Sequence, residues 1–132
     1  MQAVYLSRDQ ILAIHEAVLE AHGGAGGILN DDALASAIEM PASTVFGEEA
    51  YPTLLSKAAA YLFFIASNHG FRDGNKRVAL ASAFEFLTNN GMELDIPQPR
   101  WAEAEALVLR VASAELTREE ATKAFEDFVR SL

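Results

Sequence analysis

Along most of the chain, apolar residues recur with the period of an amphipathic helix. Ile11, Leu12, Ile14, His15, Val18 and Leu19 form one such stripe, and Ser7-Arg8-Asp9-Gln10 fits a capping box that satisfies the free amides of a first turn. Gly23, Gly24, Gly26 and Gly27 end that helix, because glycine is the residue least willing to stay helical. A shorter helix is predicted over 31–40, capped by Asn30 or Asp31 and stopped by Pro41. Residues 41–52 have no helical period. Ser43-Thr44-Val45-Phe46 favours extended backbone and Gly47 follows, which predicts a flap or short hairpin. Residues 53–68 are apolar nearly all round, as in the central helix of a bundle.

A fourth helix is predicted from near Gly74 to the stop signal Asn89-Asn90-Gly91. Met92, Leu94 and Ile96 alternate with Glu93 and Asp95, the pattern of a short strand, before Pro97 and Pro99 break the chain. Two helices follow, over 100–113 and 117–131. The second opens on the capping box Thr117-Arg118-Glu119-Glu120 and carries the stripe Ala121, Ala124, Phe125, Phe128 and Val129. With no internal repeat or linker, the expected fold is all-α: one domain over 1–132, a compact helical bundle with a flap before its central helix.

Composition narrows the function. The 132 residues, 51% of them hydrophobic, suffice for one core and not two. The absence of cysteine excludes disulfides and thiolate metal sites, and the scattered histidines give a zinc site no support. His15 lies on the inner face of the first helix and reads as a structural histidine. The first residues carry no basic stretch leading into an apolar run, and the longest apolar run, Ala58 to Ala66, is nine residues, half a membrane span. A cytoplasmic protein without a membrane partner is the expectation. A net charge of −9 argues against direct nucleic-acid binding, whose affinity comes from neutralising phosphates. The exception is local: Arg72, Lys76 and Arg77 lie within six positions, a basic spot suited to a compact anion.

That spot belongs to His69-Gly70-Phe71-Arg72-Asp73-Gly74-Asn75-Lys76-Arg77, between the third and fourth helices. Gly74 and Asn75 tolerate backbone angles that turn successive amides toward one point, and the next helix adds its unpaired amides and positive dipole end. Lys76 and Arg77 add full charge there. Asp73 is a hard oxygen ligand suited to a magnesium ion that also touches phosphate. His69 carries an imidazole, which suits proton removal from an attacking hydroxyl. Each residue also has a plainer reading. A histidine can end a helix, an aspartate can be an N-cap, Gly-Asn can be an ordinary turn, and Lys-Arg can be solvated charge. Phe71 is an anchor to the core under either reading. The combination, base with metal ligand with anion cradle, is what phosphoryl-type transfer requires.

The segment resembles the signature of the Fic/Doc family, His-x-Phe-x-Asp/Glu-Gly/Ala-Asn-Gly/Lys-Arg, and within it the Doc (death-on-curing) toxin branch. The likeness extends over about residues 5–97, through His15 and the glycine-rich turn, the 34–41 stretch, Lys57-Ala58-Ala59, and Phe86-Leu87 to Gly91. The resemblance implies a helical bundle in which His69 is the general base, Asp73 holds Mg2+, and Gly74, Asn75, Lys76 and Arg77 bind the phosphates of ATP. It also implies a flap that aligns a target segment, with Val45 and Phe46 as contacts. For those two, ordinary core packing is the competing reading.

Gly70 stands where the family commonly has proline. Lys76 replaces a glycine of the adenylylating members, and Leu80 stands where they carry a second arginine. The last two features match the Doc branch, for which the resemblance implies transfer of the γ-phosphate to a threonine of elongation factor Tu, arresting translation. Adenylylation and a non-catalytic binding module are the alternatives. The resemblance further implies inhibition by a partner antitoxin whose C-terminal segment occupies a hydrophobic groove. An internal inhibitory Ser/Thr-x-x-x-Glu-Gly/Asn is not matched, since the segments 44–49 and 122–127 both miss at the last position.

Overall fold

The computed structural model describes residues 2–132. Six α-helices and one small hairpin run in the order α1 (Arg8–His22), α2 (Asp31–Glu39), β1 (Thr44–Val45), β2 (Glu48–Glu49), α3 (Leu54–Asn68), α4 (Asn75–Asn89), α5 (Trp101–Ala112) and α6 (Arg118–Arg130). The helix starts follow from local chemistry. Ser7 and Thr117 close the two expected capping boxes with Gln10 and Glu120, and Asn30 caps α2 by accepting from the Ala33 amide. Backbone and hydroxyl donors of Thr117 hold the Glu120 carboxyl below the usual carboxylate range. Thr53 and Ser56 form a third box at the head of α3, with a serine standing in for the usual Glu or Gln.

The expectation for α3 is met. It packs against α2, α4, α5 and α6 and is buried on nearly every side. Tyr61 at its middle meets Phe86 of α4 with ring centres 5.2 Å apart, and its hydroxyl accepts from the Leu6 amide at 2.9 Å. Burial pushes that phenol up to about 12. On the other side, Phe84 of α4 lies 5.6 Å from Trp101, 5.8 Å from Phe125 and 6.4 Å from Phe128, joining α5 and α6 to the same core. Of the expected α6 stripe, Ala121, Phe125, Phe128 and Val129 are buried and Ala124 is half-buried. No helix among the described residues is long and apolar enough to cross a membrane.

One expectation needs correction. No strand forms at Met92, Leu94 and Ile96. Their side chains do alternate, half-buried against exposed Glu93 and Asp95, but no neighbouring strand offers a ladder, so the pattern records one-sided burial of an extended chain. The second helix stops at Glu39, one residue short of the expected end, and Pro41 lies just past it as expected, inside a 3-10 turn, Met40–Ala42. A 3-10 turn over Gln98–Arg100 likewise precedes α5.

Phe125 is fully buried. Phe125→Ala is expected to lower stability by about 3–5 kcal/mol, read as a reduced urea midpoint at unchanged slope. A shift under about 1 kcal/mol would make α6 an appendage rather than part of the core.

Candidate active site

The segment 69–77 comprises the loop after α3 and the first turn of α4, and the loop is fastened to α1, to the α1–α2 connection and to α2. His69 ends α3 in the left-handed conformation, φ 50° and ψ 48°, with its side chain exposed. Gly70 follows under α2: a Cβ there would stand 2.7 Å from Leu34 Cβ and 2.8 Å from Leu34 Cα, so a side chain would displace backbone. The Gly70 carbonyl accepts from the amides of Leu29 and Asn30, at 2.8 and 3.1 Å, and the Arg72 amide donates to the Gly27 carbonyl at 3.1 Å. Phe71 is buried, with the His15 ring stacked on it at 3.9 Å.

The loop then closes on itself. Asn75 accepts from the Phe71 amide at 3.0 Å through Oδ1 and donates to the Phe71 carbonyl at 2.9 Å through Nδ2. Gly74, at φ 86°, supplies the reversal, and α4 begins at Asn75 with no side-chain cap on its first amides. The expected nest is therefore narrower than the sequence suggests. Gly74 alone takes the positive φ, Asn75 is already helical, and its side chain locks the loop while its backbone amide remains at the helix end.

Asp73 sits at the loop's tip, exposed, and is oriented by the α1–α2 connection. Its Oδ2 accepts from the Ala25 amide at 2.8 Å, and a Cβ on Gly24 would stand 3.3 Å from Asp73 Cβ. His15, only 6% exposed, meets the Asp73 carbonyl at 2.8 Å through Nε2. The structural reading of His15 thus holds, and the structure it supports is the site. Among the described residues no group of three acidic or histidine side chains gathers around a metal position. One oriented carboxylate with a free oxygen fits a magnesium ion held mainly by phosphate and water, and does not fit an all-protein cage.

Charge singles out the same spot. Arg8, Lys57, Arg100, Arg110, Arg118, Lys123 and Arg130 each pair with a carboxylate. Among the described residues, Arg72, Lys76 and Arg77 are the three lysines and arginines in no ion pair. All three are exposed, two of them in the first turn of α4, where a helix disfavours cations. An anion at that helix end relieves both problems. Leu80, one turn further into α4, is buried.

The flap is a two-residue ladder, Thr44 opposite Glu49 and Val45 opposite Glu48, turned by Phe46 at φ 52° and Gly47 at φ 82°. Core packing does not account for Val45 and Phe46, which are 56% and 101% exposed. At the flap's base Tyr51 is buried between Phe64 and the Arg118 guanidinium, and burial raises its phenol above the usual range. The near-matches to an inhibitory helix do not behave as one. The first flanks the hairpin turn, and in the second Thr122 bonds back to Arg118 while Glu126 pairs with Arg130.

A family model described as Fic/DOC family matches residues 5–87. The chain belongs to the Fic/DOC family. Two relatives share its sequence: a protein named Toxin Doc from Mycolicibacterium smegmatis, 42% identical over 68% of this chain and 67% of that protein, and one named Protein kinase doc from Escherichia phage P1, 35% identical over 71% of this chain and 75% of that protein. The family match ends within α4, so α5 and α6 lie beyond it.

Sequence reasoning misses the ties to this loop that are made by backbone groups. The amide of Ala25 and the carbonyls of Gly27 and Gly70 carry no side-chain signature, and the glycine-rich turn reads only as a helix stop. Arg72 is legible as part of the basic spot, though the family signature gives it no role. Asn75→Ala opens the loop by freeing two Phe71 backbone groups, and is expected to cost about 1–3 kcal/mol with faster amide exchange at Phe71. Unchanged exchange there would mean the loop is held by its other ties.

Proposed function

We propose that this chain is a Doc-type toxin that transfers the γ-phosphate of ATP to a serine or threonine hydroxyl of a target protein, with elongation factor Tu as that target. The observation that carries the reading is the set of unpaired cations, Arg72, Lys76 and Arg77, gathered at an uncapped helix start in a chain of net charge −9. The names of the two relatives, Toxin Doc and Protein kinase doc, support it.

In this mechanism the first amides of α4, with Lys76, Arg77 and Arg72, hold the phosphates and take up the charge that develops on them. Asp73, steadied by the Ala25 amide, holds magnesium, which when bound neutralises phosphate charge. His69 removes the proton from the target hydroxyl, whose oxygen attacks the γ-phosphorus as ADP leaves. His69 is free to do so because its ring is exposed and no described residue bonds to it. Val45 and Phe46 meet the target segment. Lys76 and the buried Leu80 support the γ-phosphate over the α-phosphate, since neither leaves the open space or the second arginine associated with adenylyl transfer. An antitoxin's C-terminal segment seated in the apolar groove lined by Phe63, Ser67, Val111 and Leu116 would cover His69, which borders that groove.

Purified protein with magnesium and bacterial extract is given ATP labelled at the γ-phosphate and, in parallel, at the α-phosphate. Label on a protein of the mass of elongation factor Tu, from the γ position only, is the expected result. His69→Ala should reduce transfer by at least about 10³-fold while ATP binding is kept. Label from the α position would make the chain an adenylyltransferase, and label from neither would leave a binding module.

A further inference from the structure

Lys57 occupies an unfavourable position for a lysine. It lies in the first turn of α3, where the helix's own amides disfavour a cation, and it is 3% exposed. Its ammonium donates to Glu49 Oε1 at 3.0 Å and to the Tyr51 carbonyl, and stands 5.7 Å from the centre of the Tyr5 ring. Among the described residues no other basic side chain is buried apart from His15. A methionine of similar shape would fill the space without desolvating a charge. What the ammonium adds is direction. Both of its oxygen partners belong to the returning limb of the flap, Glu49 opposite Thr44 and Tyr51 just beyond, while Lys57 is rooted in the central helix.

The flap needs such a tie. Its ladder is two residue pairs long, extended at the base by the Ala50 amide donating to the Ser43 carbonyl at 2.9 Å. A ladder that short has little stiffness of its own. Its tip, Phe46 and Gly47, touches nothing that would hold it, Phe46 being fully exposed.

We propose that Lys57 is a positioning residue for the protein substrate, setting through Glu49 and the Tyr51 carbonyl the direction in which the flap projects, so that a target segment laid along the hairpin meets His69. The substrate half of this inference rests on the phosphotransferase reading; the anchoring half does not. The contacts of the ammonium are with Glu49, Tyr51 and Tyr5, none of them in the loop or at the start of α4, so it acts on the protein substrate and leaves the nucleotide alone.

Glu49→Gln is the discriminating variant, since it removes the countercharge of Lys57 at a side chain that is 54% exposed, and it is expected to fold. In the labelled-ATP assay with isolated target, KM for the target should rise about tenfold while kcat and ATP affinity stay the same. Lys57→Arg should keep most of the wild-type KM, and Lys57→Met, where it folds, should match Glu49→Gln. Amide exchange at Ala50 in Glu49→Gln should quicken about tenfold, with the middle of α3 unchanged. If the wild-type chain transfers no phosphate, the functional reading falls and exchange at Ala50 alone decides the anchor. Unchanged exchange overturns the anchoring, and quickened exchange with unchanged KM overturns the positioning of substrate. A parallel loss of ATP affinity would show that the pair serves general stability.

Discussion

Everything at the site depends on how the loop after α3 is closed. Asn75 satisfies both backbone groups of Phe71, which fixes the loop as a small ring with Arg72, Asp73 and Gly74 between the two clamped residues. Phe71 itself is held under the His15 ring, and Gly70 lies so close to Leu34 that no side chain fits. The consequence is a division of labour within nine residues. The inward positions hold the loop, and the outward ones, His69, Arg72, Asp73, Lys76 and Arg77, are left for a ligand. Such a loop loses little entropy on binding, because its backbone is already ordered.

Electrostatics then follows from the fold. A chain with 19 acidic and 10 basic residues has partners enough for every cation, yet among the described residues three remain without one, all beside an uncapped helix start. Their mutual repulsion and the helix dipole both oppose leaving them bare. A polyanion such as a nucleoside triphosphate would remove that penalty. The lone carboxylate at the spot, Asp73, is turned toward the Ala25 amide rather than toward an arginine, which keeps the cations available.

Much of this is legible in the sequence because it is local. Capping boxes at Ser7 and Thr117, the glycines after α1 and the Asn-Gly stop after α4 each act within a few residues, and the structure follows them. Position 92–96 misleads for the opposite reason. Alternation predicts a strand only if another strand is within reach, and that is a property of the whole fold. The site divides in the same way. The histidine, the aspartate and the cations can be read as side chains in one segment. The ties that orient them cannot, since Ala25, Gly27, Leu29 and Asn30 act through backbone groups about forty residues distant in sequence. The plain reading of His15 as a structural histidine was correct, yet only its contact with the Asp73 carbonyl reveals which structure it serves.

The central claim is that the uncapped start of α4, with its unpaired cations, is a phosphate cradle. Titrating ATP and magnesium into isotopically labelled protein and following backbone amide shifts tests it directly. The account predicts that the largest perturbations fall on the amides of Gly74, Asn75, Lys76 and Arg77, and on Ala25 through Asp73. Perturbations concentrated between α5 and α6, or none at saturating nucleotide, would contradict it.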